Sequence, residues 1–255
     1  MLRLIYIILA GSGTIYLAVC AAMFAFQRSL LYFPQPRMVT AAASTMVLEV
    51  PGSHLIVTVR PHAGAKAIIY LGGNGEDVSG SLESFAKAFP EYALYLLHYR
   101  GYGGSSGSPS EVANHSDALA LFRKVQSQHP NIAVIGRSLG SGIAVRLASE
   151  APISRLLLVT PYNSIEEIAA AQYPYLPVRW LLLDRYESWK YASGVKIPTN
   201  IIAAQNDEVI PRASTEKLLA QFPAGIASMT VIDGVGHNDI DTARAYLMTL
   251  QAGLQ

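Results

Sequence analysis

Hydrophobic residues fall along this chain in two regimes. The first is an unbroken run from Leu4 to Phe26, twenty-three residues without a charge. The second, from Met46 onward, is a succession of short apolar runs separated by glycine-bearing loops and amphipathic stretches. A helix rises about 1.5 Å per residue, so the first run reaches about 35 Å, enough to cross a hydrocarbon core of about 30 Å. Arg3 precedes it, Gln27 and Arg28 follow it, and Tyr32 and Phe33 stand where an interfacial aromatic belt would lie. A cleavable signal has a shorter apolar region, about 7–15 residues, and ends on small residues that are missing beyond this run. Leu17-Ala18-Val19-Cys20 matches a bacterial lipoprotein box only loosely, because Val19 is bulky. The run is therefore read as an uncleaved, single-pass anchor through residues 4–26, in a segment spanning 1–28. Arg3 on one side and Arg28 and Arg37 on the other nearly balance, leaving the side of the membrane open.

Phe33-Pro34-Gln35-Pro36-Arg37 follows, and its prolines bias their neighbours away from helix, so residues 29–45 read as an extended linker. Val47–Val50 and Leu55–Arg60 suit an antiparallel pair about Pro51-Gly52-Ser53. Further strands are expected at Ala67–Leu71, Ala93–His98, Asn131–Ile135, Arg155–Thr160, Ile201–Ala204 and Ala227–Ile232. Helices are expected near Val78–Phe89, Glu111–Gln128, after residue 138, and near Thr242–Leu250. Such alternation predicts an α/β domain over 46–255, with a mostly parallel central sheet flanked by helices. Pro161–Pro198 is too long for a single crossover and carries seven aromatics, among them Tyr162, Trp180 and Tyr186. It predicts a crossover helix plus a short helical cap over about 162–196.

Composition narrows the function. A net charge of +1 and the lack of a basic cluster give no case for nucleic acid. The six histidines lack metal-ligand spacing, so neither a metal nor a cofactor is expected. The single cysteine, Cys20, excludes intramolecular disulfides.

Chemistry concentrates at Gly136-Arg137-Ser138-Leu139-Gly140, which follows one apolar run and opens a small-residue stretch. A G-x-S-x-G turn between strand and helix holds its serine at the apex, and its glycines avoid collision with the neighbouring strand and helix. A serine hydroxyl is a poor nucleophile without a base, and the base needs an acid to orient it. Ile201–Ala204 leads into Asp207, and Val231-Ile232 leads into a glycine loop carrying His237. Ser138, Asp207 and His237 are thus the catalytic candidates, preferred over Asp184, Asp233 and Asp239 as the acid. The oxyanion of an acyl-transfer reaction needs two N–H donors. Leu139 at the helix start and Asn74 in Gly72-Gly73-Asn74-Gly75 are the candidates. Tyr102 and Tyr162 are candidate pocket residues. Arg137 reads either as a substrate-facing cation or as a paired structural one, the second being favoured.

With these marks the chain resembles the α/β-hydrolase superfamily, and within it the membrane-anchored α/β-hydrolase-domain proteins. The resemblance is carried by QRSLLYFPQP at 27–36, LGGNGED at 71–77, HYRGYGGSSGSPSE at 98–111 and GRSLGSG at 136–142. It continues through LPVRWLLLDRYES at 176–188, NDEVIPRASTEKL at 206–218 and GHND at 236–239. Two departures stand out: Gly72 replaces the histidine of a usual His-Gly-Asn, and His98 replaces a frequent aspartate. The glycine spacing and Tyr186-x-x-x-Lys190 imitate short-chain reductases, but in the wrong order along the chain.

Three activities compete at this stage. A serine hydrolase of esters or thioesters, with small-molecule or lipid-like acyl substrates, accounts for the whole set. The resemblance implies depalmitoylase-like or lipase-like activity. A serine peptidase would need a charged pocket, for which Glu166, Glu167 and Asp184 are the candidates, and a non-catalytic, membrane-tethered interaction protein is the third reading.

Overall fold

The computed structural model describes residues 2–41 and 44–255. Helix α1 (Leu2–Leu31) continues past the apolar run, and Cys20 is its only buried residue. An eight-stranded sheet follows: β1 (Thr45–Val50), β2 (Ser53–Arg60), β3 (Lys66–Leu71), β4 (Ala93–Leu97), β5 (Asn131–Arg137), β6 (Arg155–Val159), β7 (Thr199–Ala204) and β8 (Ala227–Ile232). Its order is β1-β2-β4-β3-β5-β6-β7-β8. β2 pairs antiparallel with β1 and with β4, while every pairing from β4 through β8 is parallel. The expected mostly parallel sheet is what the chain forms.

The central strands are apolar on both faces because both faces are covered. Along β3, Ala67, Ile69 and Leu71 join one buried cluster with Leu121 and Phe122 of α3 (Glu111–Gln126) and Leu147 of α4 (Leu139–Glu150). The alternate residues Ile68 and Tyr70 join the other, with Phe85 of α2 (Leu82–Ala88) and Leu250 of α9 (Arg244–Gly253). Strand order reverses at β3 and β5, whose following helices lie on opposite faces. Such a switch point opens a crevice at the carboxyl ends of the strands.

The β6–β7 insertion contains three short helices, α5 (Ile165–Gln172), α6 (Val178–Leu181) and α7 (Trp189–Ala192). One helix went unnoticed in the sequence, α8 (Arg212–Leu219), which buries Ser214, Thr215 and Leu218. Its apolar content is too low for a periodic stripe.

The segment after α1 is extended, as its prolines demand, but it is fastened along its length. Phe33 N–H donates to the Asn74 carbonyl at 3.0 Å, and Gly103 N–H to the Gln35 carbonyl at 2.9 Å. Met38 N–H donates to Asp77 Oδ2 at 2.8 Å. Tyr32 does not sit in an interfacial belt: it is 3% exposed, and its hydroxyl meets Asp184 Oδ2 at 3.2 Å and Tyr186 Oη at 2.8 Å. Phe33 beside it is exposed.

Candidate active site

Four loops at the carboxyl edge of the sheet bring the sequence candidates together. Ser138 follows β5 with φ +49° and ψ −117°, a conformation L-residues rarely adopt. It is held by its own N–H, which donates to the Val159 carbonyl at 2.9 Å, and by close packing on either side. A Cβ on Gly136 would lie 2.6 Å from the Cβ of Ala144, and one on Gly140 would overlap the Leu71 carbonyl. The elbow therefore accepts only glycine at these two positions.

His237 Nε2 lies 2.9 Å from Ser138 Oγ. Its Nδ1 lies 3.0 Å from Asp207 Oδ2 and 3.1 Å from Oδ1. Asp207 follows β7, and its Oδ1 accepts the N–H groups of Val209 (3.0 Å) and Ile210 (2.7 Å), which fixes the carboxylate plane. The side chains of Asp207 and His237 are each 8% exposed. An imidazole between a hydroxyl and a buried carboxylate has one tautomer available, with the proton on Nδ1 and the lone pair on Nε2 facing the serine.

The two expected N–H donors face no protein acceptor among the described residues. Leu139 N–H opens α4, at the positive end of the helix dipole. Asn74 is turned by its other groups: its side-chain amide donates to the Leu31 carbonyl at 2.9 Å, and its carbonyl accepts Tyr102 Oη at 2.6 Å. A Cβ on Gly73 would lie 3.7 Å from Ser138 Cβ, so this loop runs directly beside the nucleophile candidate.

Tyr102 and Tyr162 do not line an open pocket. Both are buried, 1% and 0% exposed. The Tyr102 hydroxyl is spent on the Asn74 carbonyl, and that of Tyr162 donates to the Leu139 carbonyl at 3.0 Å. They brace the backbone of the two expected donor residues. Aromatic character near a catalytic turn signals bracing as readily as substrate contact.

Arg137 is paired. Its Nη1 lies 3.8 Å from Glu76 Oε2 and 3.6 Å from Asp241 Oδ2, and its Nη2 reaches the carbonyls of His237 (3.4 Å) and Asn238 (3.5 Å). It joins the serine turn to the histidine loop. Two of the three rival acids are occupied elsewhere, Asp239 accepting Gly236 N–H at 2.6 Å and Asp184 pairing with Arg28 at 2.9 Å. Glu166 faces Arg179 and Arg185, and Glu167 faces Lys217, so neither supplies a free charge for a peptide terminus.

Two supporting carboxylates escaped the sequence reading. Glu76 Oε2 accepts Gly73 N–H at 2.8 Å while its Oε1 accepts Tyr70 Oη at 2.7 Å, which anchors the Gly72–Gly75 loop. Glu208 Oε2 accepts the His237 N–H at 3.3 Å. Their signal was position alone: each sits within three residues of a site residue in a loop. No cluster of three or more potential metal ligands occurs among the described residues.

Comparison with known proteins identifies the fold. The family model described as alpha/beta hydrolase fold matches residues 66–184. An uncharacterized protein of Mycobacterium tuberculosis is 36% identical over 228 residues, covering 84% of this chain and 81% of the relative. The lysophosphatidylserine lipase ABHD12 of Danio rerio is 31% identical over 175 residues, 59% of this chain but only 46% of that protein. Among solved structures, an esterase of Pyrococcus furiosus aligns with a TM-score of 0.68 at 17% identity, over 86% of this chain and 98% of the esterase.

Proposed function

The chain belongs to the α/β-hydrolase superfamily, and from that premise we propose that it is a membrane-anchored serine hydrolase of carboxylic esters or thioesters. The observation that carries this reading is the Asp207–His237–Ser138 relay, with contacts of 3.0 Å and 2.9 Å. In this reading Ser138 Oγ attacks the acyl carbonyl carbon as its proton passes to His237 Nε2. The carbonyl π pair becomes an oxyanion, received by the N–H groups of Leu139 and Asn74. Removing one such donor costs about 3–4 kcal/mol of transition-state stabilisation in measured cases. The oxyanion collapses, the bond to the leaving group breaks, and His237 gives its proton to the departing oxygen or sulfur. Water then adds to the acyl-enzyme with His237 as base, and the carboxylic acid leaves as Ser138 regains its proton. Asp207 stays ionised and stabilises the imidazolium that forms in each half-reaction.

Three features support the membrane placement of this reaction. α1 is thirty residues long and almost wholly exposed, as expected of a helix whose surroundings are lipid. Its last turn and the residue that follows it are fixed to the catalytic domain through Arg28 and Tyr32, unlike a segment destined for removal. The similar zebrafish protein is named for hydrolysing a lysophospholipid, which favours a lipid-like acyl substrate here.

The test is fluorophosphonate labelling of wild type beside Ser138→Ala, with turnover of p-nitrophenyl esters from acetyl to palmitoyl. Labelling of wild type alone, with ester turnover, is the expected result. Folded wild type that neither labels nor turns over would abolish the hydrolase reading.

A further inference from the structure

The β6–β7 insertion lies along α1 rather than apart from it. Tyr16 Oη donates to the Tyr175 carbonyl at 3.0 Å. One face of the helix further on, Gln27 Nε2 donates to the Leu181 carbonyl at 3.1 Å, and Gln27 Oε1 accepts the Leu183 N–H at 2.7 Å. Arg28 then pairs with Asp184 at 2.9 Å. From residue 16 to residue 28 an α-helix rises about 18 Å, so the insertion accompanies α1 over more than half the thickness of a leaflet pair's hydrocarbon core. From Ile168 to Leu183 the insertion carries one charge, Arg179. Three of its large apolar side chains point outward: Tyr175 is 88% exposed, Trp180 87% and Leu183 54%.

Between the two elements runs an open cavity of about 130 Å³. Met23, Leu30 and Leu31 form one wall, and Ile165, Ala169 and Leu181 are among those forming the other. The lining is apolar apart from Gln27, whose amide is engaged at both ends, and Tyr173. Leu31, one of the lining residues, also holds the Asn74 side chain through its carbonyl at 2.9 Å.

We propose that this groove binds one fatty acyl chain of a lipid ester, drawn sideways from the bilayer leaflet, and that the insertion is itself embedded in that leaflet beside α1. The proposal rests on the serine-hydrolase reading and on α1 as a membrane span. The occupant follows from the chemistry of the walls. A groove this apolar, with one wall made by a lipid-exposed helix, offers little to a polar headgroup and an apolar surface to a hydrocarbon chain. Leu31 lines the groove and its carbonyl meets the Asn74 side chain, so an acyl chain in the groove lies one residue away from the loop that passes Ser138.

The experiment uses the full chain in phosphatidylcholine vesicles. A fluorophosphonate carrying a sixteen-carbon chain with a terminal diazirine is allowed to react with Ser138, irradiated, and mapped by mass spectrometry. The expected crosslinks fall in residues 23–31 and 165–182. Ser138 labelling with crosslinks confined to other segments overturns the groove and leaves the hydrolase standing. Absence of labelling overturns both. In parallel, Ala169→Trp fills the groove. The ratio of kcat/KM for palmitoyl over acetyl p-nitrophenyl esters is expected to fall tenfold or more, and an unchanged ratio overturns the proposal. The crosslinking reads the unaltered protein, so it decides the matter even if that variant folds poorly.

Discussion

The carboxylate of Glu76 stands where a side chain on residue 72 would have to go. A Cβ on Gly72 would lie 3.0 Å from Glu76 Oε2 and would overlap Val78. From that position Glu76 receives the Gly73 N–H and the Tyr70 hydroxyl. The glycine that departs from the family's usual histidine is thus matched by an acidic residue four positions later, which anchors the loop from the inside.

Glu76→Ala is expected to lower kcat for p-nitrophenyl butyrate about 10- to 100-fold with little change in KM, because the Asn74 donor loses its alignment. Gly72→His is expected to do the same by expelling the Glu76 carboxylate, although it restores the more usual residue. Steady-state kinetics with each variant, checked for folding by circular dichroism, measures the effect.

The proposed relay predicts steep and non-additive losses. Ser138→Ala and His237→Ala are each expected to reduce kcat by at least about 10³-fold, and the double variant little further. Asp207→Asn is expected to cost about 10⁴-fold in kcat by presenting the wrong imidazole tautomer. Pre-steady-state acylation with a p-nitrophenyl ester reads these losses directly.

Much of this was legible in the sequence because it is local. The strands are continuous apolar runs, and the serine turn carries its own glycines. Asp207 and His237 each close such a run. What stayed hidden is non-local. Nothing near residue 76 announces that its carboxylate serves Gly73, and nothing near Tyr32 announces Asp184 and Tyr186 across the fold. Tyr102 and Tyr162 were misread for a related reason: sequence shows that an aromatic lies near a site, while only packing shows that its hydroxyl is already engaged.

His98 introduces a pH dependence to stability. It is buried, its Nε2 is 2.9 Å from Thr58 Oγ1, and burial pushes its pKa down to about 4 from an ordinary 6.5. The unfolded chain therefore binds a proton more readily than the folded one between these values. The neutral ring's contribution is fully present above pH 6.5 and is lost as pH falls towards 4, reaching up to about 3 kcal/mol. Denaturation midpoints in mild detergent from pH 7 to pH 4 should show this slope in wild type, and His98→Asn should flatten it.

Asp184 is a buried hub: it accepts from Arg28, from the Tyr32 hydroxyl and from the Glu111 N–H at 3.1 Å. Asp184→Ala is expected to destabilise the protein by about 2–3 kcal/mol, since the half-exposed Arg28 rehydrates while the other two donors remain buried. Asp184→Asn should recover part of the loss. Urea titration of the three proteins would rank them.

The strap from Leu31 to Met38, pinned to the Gly72–Gly75 loop, the Tyr99–Gly107 turn and the Asp77 carboxylate, leaves no slack between α1 and the domain. With α1 as the anchor, the protein is a fixture in the bilayer plane and not a ball on a string. Its tilt and height above the lipid would then be set by the hydrogen bonds that pin the strap, and encounters with a bilayer substrate would be planar. On the proposed reading, surface density of the lipid, in molecules per unit area, would replace molar concentration as the quantity that sets its rate.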